Sequence, residues 1–222
     1  MRIISLLMGA ALGMAAALNA YAGSNLLSDP GFESGTPVAG AIGGWATVVD
    51  AAFSQTYHHS GAWSMENYYE PSGFHGVSVQ AVAATPGAGY TLTGLGFTPA
   101  ALSSSSSGTL ILFFTDAGGG LLGQYLSSAP LDSASPAGTW IQLSVSGTAP
   151  ANAASVYAET SLWNPGPGDT TYFDDLSLTV VPEPSVLAGL SAGLGLLYFS
   201  RNKINGALKT SLSRFEAGQI WR

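Results

Sequence analysis

In Trp140-Ile141-Gln142-Leu143-Ser144-Val145-Ser146 apolar and polar side chains alternate from Ile141 onward. Successive side chains of an extended strand point to opposite faces, so this stretch predicts a strand with one face buried and one wet. Upstream, Thr109-Leu110-Ile111-Leu112-Phe113-Phe114-Thr115 is a continuous apolar run of strand length, which suits a fully buried strand. Val77-Ser78-Val79-Gln80-Ala81-Val82, Tyr90-Thr91-Leu92-Thr93-Gly94-Leu95 and Tyr172-Phe173-Asp174-Asp175-Leu176-Ser177-Leu178 read as further strands. Turn-forming clusters separate them: Pro86-Gly87, Ser103 to Gly108, Gly118-Gly119-Gly120, Pro136 to Gly138 and Asn164 to Gly168. The serine run Ser103 to Ser107 reads as a loop or as a disordered segment. No stretch before residue 185 repeats its apolar residues with a helical period. About eight to ten short strands at this spacing predict an all-β fold, a jelly-roll β-sandwich over residues 23–181.

The two ends have a different character. Arg2 precedes an almost wholly apolar run from Ile3 to Leu18, and Ala20-Tyr21-Ala22 supplies small residues where a signal peptidase reads. Residues 1–22 are therefore expected to be a signal peptide in helical form, cut after Ala22. A second apolar run covers residues 185–200 and meets Arg201 and Lys203. As a single helix rising about 1.5 Å per residue it would reach about 24 Å, somewhat short of a full bilayer crossing of about 20 residues. It suits a membrane helix in a thin bilayer or a transient sorting signal. After the signal peptide every basic residue lies beyond this run: Arg201, Lys203, Lys209, Arg214 and Arg222. The positive-inside rule then keeps the tail cytoplasmic and the body exported. In the tail, residues 204–222, Ile204, Leu208, Leu212 and Phe215 fit an amphipathic helix on anionic headgroups, and a frayed basic tail fits equally.

Charge excludes some functions. From Gly23 to Ser200 there are twelve acidic residues and no Lys or Arg. Such a surface cannot neutralise phosphates, so nucleic acid is not expected as a partner. Each carboxylate must instead be solvated, hydrogen-bonded by neutral donors, or bound to a cation. The chain has no cysteine, which removes thiol catalysis and thiolate metal sites.

Val181-Pro182-Glu183-Pro184-Ser185, followed by the Gly/Leu/Ala-rich helix and Arg201, resembles the PEP-CTERM sorting signal, here covering residues 182–203. The resemblance implies export, processing by an exosortase-type sorting protease, transient membrane anchoring, and delivery to the cell surface or extracellular matrix. Such signals usually stop near the basic residues, whereas this chain runs on to Arg222. The body resembles the jelly-roll carbohydrate-binding modules of the galactose-binding-like superfamily. The matching pieces are Asn25-Leu26-Leu27, Asp29-Pro30-Gly31-Phe32-Glu33, Gly44-Trp45, His59-Ser60-Gly61, Pro86-Gly87-Ala88-Gly89-Tyr90 and Tyr172-Phe173-Asp174-Asp175. This implies a non-catalytic module that binds extracellular polysaccharide. The alternative is a structural or self-associating matrix protein with no specific glycan.

The same resemblance implies a structural calcium site made by Glu33, Asp174 or Asp175, the carbonyl of Gly31 and carbonyls near His59. Calcium takes six to eight oxygens at about 2.3–2.6 Å, and of two adjacent strand residues only one aims inward, with Asp174 the expected one. Tyr57, Trp63, Tyr68, Tyr69, Phe74 and Trp163 are the candidate sugar-stacking rings, while Trp45 and Trp140 read as core. His58 and His59 would point apart on a strand, so only one of them could share a metal with His75. Glu66 and Glu70 are the pair to consider for glycoside hydrolysis, but nothing in the sequence fixes their separation, and no catalytic residue is assigned.

Overall fold

The computed structural model describes residues 23–71, 75–127 and 129–181. The chain divides after Val181 into two compact units, and the described residues all belong to the first. The expected signal peptide, sorting residues Pro182, Glu183, Pro184 and Arg201, the apolar run 185–200, the basic tail and Phe74 lie outside the described residues. Among the described residues no helix is long and apolar enough to cross a membrane.

The described unit is all β. Its strands are β1 (Ala46–Val49), β2 (Ala51–Ser54), β3 (Ser64–Tyr68), β4 (His75–Ala83), β5 (Gly89–Phe97), β6 (Ser107–Thr115), β7 (Leu121–Leu126), β8 (Ile141–Thr148), β9 (Ser155–Trp163) and β10 (Thr170–Val181). They form two five-stranded sheets in the orders β1-β4-β9-β6-β7 and β2-β3-β10-β5-β8. All pairings between neighbouring strands are antiparallel. The strands predicted around Val77, Tyr90, Thr109, Trp140 and Tyr172 correspond to β4, β5, β6, β8 and β10.

The core lies between the sheets. Leu110, Leu112 and Phe114 of β6, with Val156, Ala158 and Leu162 of β9, meet Tyr90 and Leu92 of β5, Leu143 and Val145 of β8, and Phe173, Leu176 and Leu178 of β10. Each fully buried large apolar side chain contributes about 1.5–3 kcal/mol. Trp45 belongs to this core at 1 % exposure, with its indole N–H donated to the Asp29 carbonyl at 3.0 Å. Trp140 does not. It packs at 5.1 Å against Phe97, which faces away from the core because its strand neighbours Tyr90 and Leu92 face inward. The alternation that begins at Ile141 is real, and Trp140 lies just before the strand, its ring turned to the outer side.

The N-terminal segment runs along β10. Leu26 N donates to Leu178 O, Leu176 N donates to Pro30 O, and the Asn25 amide bridges Leu176 O and Leu178 N. β10 is interrupted between Asp174 and Ser177 by a register shift, with Asp175 at φ 50°. A bulge of this kind re-aims side chains, and here it buries Asp174 completely while leaving Asp175 exposed.

Candidate functional site

On β9, Val156, Ala158 and Leu162 point into the core. Strand alternation therefore puts Tyr157, Glu159, Ser161 and Trp163 on the opposite, outward face of the first sheet. Cross-strand register fixes their neighbours. Tyr157 lies between Ala81 and Phe113, Glu159 between Val79 and Ile111, Ser161 between Val77 and Thr109, and Trp163 between His75 and Ser107. At one end Trp163 stacks on His75 with ring centroids 4.7 Å apart and planes within 10°. At the other, Tyr157 stacks on Phe113 at 4.6 Å and 10°. Six residues of strand separate the two stacks, about 20 Å.

Between them lie polar groups with unusual surroundings. Ser161 Oγ, Thr109 Oγ1 and Trp163 Nε1 are buried and have no hydrogen-bond partner among the described residues. Buried polar atoms are ordinarily paired, and three orphans on one sheet face mark a place where a ligand or water would supply the missing bonds. Glu159 is 8 % exposed. Burial pushes its carboxyl up to about 7, against a smaller opposing effect of the Ser161 hydroxyl. Ser161 is thus close enough to favour the ionised form without making a hydrogen bond of ordinary geometry. Neither Glu159 nor Ser161 nor Thr109 is singled out by the sequence. The available signal was a charged residue inside an otherwise strand-like run, Ser155 to Trp163.

A second polar cluster lies where the domain begins and ends. Asp174 Oδ2 accepts the backbone N–H groups of His59 (2.7 Å) and Ser60 (3.0 Å), and Oδ1 accepts that of Asp175 (2.7 Å). Burial raises the Asp174 carboxyl above its ordinary value, and these backbone donors only partly offset the rise. Glu33 accepts the backbone N–H groups of Ala62 (2.9 Å) and Trp63 (3.2 Å). Asp175 takes the His59 ring nitrogen and the Ser60 hydroxyl, both at 2.6 Å. Groups of the segment 59–63 therefore serve all three carboxylates.

Gly31 sits between two of these acids. A β-carbon built there would lie 3.7 Å from Asp174 Oδ1 and 3.9 Å from Glu33 Oε1. Two carboxylate oxygens thus converge on one glycine, and the donor set of hard oxygens suits calcium. Among the described residues no group of three or more His, Cys, Asp and Glu side chains is arranged to hold a metal ion. A calcium ion at Gly31 would draw the rest of its shell from backbone carbonyls.

The five aromatic candidates among the described residues are spread over different parts of the fold. Trp163 lies on the first sheet's outward face. Tyr57 packs on Phe97 and Tyr172 over the second sheet, at 4.9 and 5.1 Å. Trp63 covers Gly35, where a β-carbon would come within 2.7 Å of the indole, and packs against the core. Tyr68 ends β3, and Tyr69 donates its N–H to Asp169 O. Phe74 is outside the described residues. His58 and His59 lie in the loop between β2 and β3 rather than on a strand, and His75 is engaged by Trp163. Glu66 accepts the Tyr172 hydroxyl at 2.9 Å, which commits one of the two acids considered for hydrolysis to a structural bond.

No family model and no curated protein matches this sequence. Solved structures do. The CBM22-1 xylan-binding domain of Paenibacillus barcinonensis Xyn10C is 13 % identical with a TM-score of 0.51, over 73 % of this chain and 97 % of that one. An arabinose-bound α-L-arabinofuranosidase, MgGH51, is 20 % identical with a TM-score of 0.53, over 72 % of this chain and 27 % of that one. The enzymatically active domain of tailspike protein 4 of bacteriophage CBA120 is 12 % identical with a TM-score of 0.50, over 71 % and 21 %. The chain thus spans a small part of the two larger proteins and nearly the whole of the xylan-binding domain. Its described unit has the jelly-roll β-sandwich fold of carbohydrate-binding modules.

Proposed function

We propose that this is an exported, non-catalytic protein that binds polysaccharide on the outward face of its first sheet. The observation that carries this reading is the row of buried polar atoms of Thr109, Ser161 and Trp163, without partners among the described residues, beside Glu159 and set between two aromatic stacks. Sugar hydroxyls offer the donors and acceptors that such atoms lack, and the spacing of the stacks exceeds one sugar ring, so the ligand is a chain. The fold adds a prior that favours glycans but does not assign one.

The rest of the reading follows the sequence. The signal peptide and the PEP-CTERM-like segment support export, sorting by an exosortase-type protease, and a final location at the cell surface or in the extracellular matrix. Glu33, Asp174 and the carbonyls around Gly31 and His59 would hold a structural calcium ion. Calcium there would neutralise two carboxylates and tie the first and last segments of the domain together. Glu33 and Asp174 are already oriented for this by the N–H groups of residues 59–63.

The test is calorimetric titration of the full chain with a panel of polysaccharides, wild type against Trp163→Ala. Saturable heat that Trp163→Ala weakens at least about tenfold is expected, the scale of losing one well-packed aromatic contact. No heat with any glycan would leave a structural or self-associating matrix protein as the better reading.

A further inference from the structure

We propose that the polysaccharide bound on this face carries protonated amino groups, as a polymer with unacetylated amino sugars does, and that Glu159, Ser161 and Thr109 hold one ammonium. The proposal rests on the polysaccharide reading above and names the chemical class of its ligand. An ammonium presents three donors and no acceptor. Glu159, Ser161 and Thr109 present a carboxyl and two hydroxyl oxygens, all lone-pair acceptors. Ser161 and Thr109 are cross-strand partners, and Glu159 is two residues from Ser161 on the same side of the same strand. Among the described residues neither hydroxyl has a hydrogen-bond partner of ordinary geometry, and Ser161 and Thr109 are more than nine-tenths buried, at 0 % and 4 % exposure. The cluster meets solvent through Glu159, which keeps 8 % exposure, so the amine would enter on the carboxyl side.

Charge points the same way. A buried carboxyl with no compensating cation is costly to ionise, and the chain has no Lys or Arg between Gly23 and Ser200. A hydroxyl-only sugar would satisfy the hydrogen bonds but leave that charge uncompensated. A uronic or sulfated polymer would add repulsion to a domain already rich in acid. An ammonium supplies both the donors and the charge. The stacked ring of Trp163 two residues further along β9 favours a sugar ring as the carrier over a flexible lysine side chain.

The experiment compares, on the full-length protein, a β-1,4-linked glucosamine oligomer with its fully N-acetylated counterpart, which has the same backbone and no charge. The glucosamine oligomer is expected to bind at least about tenfold tighter, the scale of one charge-assisted hydrogen bond. The advantage should shrink as salt rises. Glu159→Gln keeps the shape of the side chain and should erase the preference, bringing the two oligomers to about the same affinity. Equal affinity for the two oligomers, or a preference that survives Glu159→Gln, would overturn the amine assignment and leave polysaccharide binding standing. A lysine oligomer that binds as tightly as the glucosamine oligomer would overturn the assignment to sugar. Absence of binding by every oligosaccharide would sink both readings together.

Discussion

Glu159 is flanked in the sheet by Val79 and Ile111, and burial holds its carboxyl at about 7 rather than the ordinary 4.5. Below about pH 4.5 the acid is protonated in both the folded and unfolded chain and carries no differential cost. As pH rises towards 7 the unfolded chain loses that proton first, so folding is progressively disfavoured, by roughly 3 kcal/mol above pH 7. Glu159→Gln should therefore melt at the same temperature as wild type at pH 4 and several degrees higher at pH 8, measured by calorimetry without ligand. A Glu159→Gln protein no more stable than wild type at pH 8 would show that the carboxyl ionises without cost in the fold. Asp169 has the opposite sign. Burial alone would raise it, but the Ser106 hydroxyl, the Gly166 N–H, and the N–H and hydroxyl of Ser103 outweigh burial and leave its carboxyl below the ordinary value. Its stabilising contribution is present at neutral pH and is lost as pH falls through that depressed value. Asp169→Asn turns an amide NH2 towards these donors and should cost about 2 kcal/mol at pH 7, read from the urea midpoint, with the difference shrinking in acid. Neither acid stands out in the sequence, because what distinguishes them is enclosure by residues from distant strands and loops.

At the scale of elements, the strands that alternate cleanly or run apolar were legible: β4, β5, β6, β8 and β10 all contain the stretches that predict them. β9 was not, although it lies at the centre of the first sheet. Its outward side carries Tyr157, Glu159, Ser161 and Trp163 and its inward side includes Ala158 and Thr160, so polarity differs little between the two faces. Thr160 is buried by partnering the Ser78 hydroxyl and the Asn67 amide, a contact that only tertiary structure supplies. Of the candidate sugar site on that strand, Trp163 was singled out by the sequence, while Glu159 and Ser161 were missed for the same reason. Nearness in sequence, as for Tyr57 and Trp63, does not fix which face of which sheet a ring meets: Tyr57 packs on Phe97 and Tyr172, and Trp63 packs against the core. Gly76 at the start of β4 gives an element-scale prediction. A β-carbon there would come within 2.6 Å of the Asp50 carbonyl and 2.9 Å of Asn67 Cβ. A backbone oxygen cannot swing aside as a side chain can, so Gly76→Ala must push β4 away from the β1–β2 turn. A loss of about 1–3 kcal/mol is expected, seen as a lower urea midpoint. An unchanged midpoint would show that β4 and the turn do not approach this closely.

For the whole molecule, the chain's ends within the domain decide what calcium could do. Gly23 lies against Val180, where a β-carbon on the glycine would sit 3.2 Å from the Val180 carbonyl, so the expected mature N-terminus leaves the domain beside the last residues of β10. The opening segment is held to β10 by backbone bonds and by Asn25, and the carboxylates of Glu33 and Asp174 both flank Gly31 in that segment. An ion at this point would bridge the first and last segments of the fold, and any force drawn through either end of the domain would load it. Binding only to the folded state stabilises it by about 2.7 kcal/mol at a ligand concentration a hundred times the dissociation constant. Excess calcium should therefore raise the melting temperature and a chelator should lower it. Because burial raises the Asp174 carboxyl, protonation competes with the ion, and the calcium effect should fade as pH falls towards that raised value. Asp174→Asn should remove the calcium response at every pH, while Asp175→Asn, on the exposed side of the bulge, should keep it. If chelator leaves the melting temperature unchanged at neutral pH, the N–H groups of residues 59–63 are sufficient by themselves, and the seam is closed by hydrogen bonds alone.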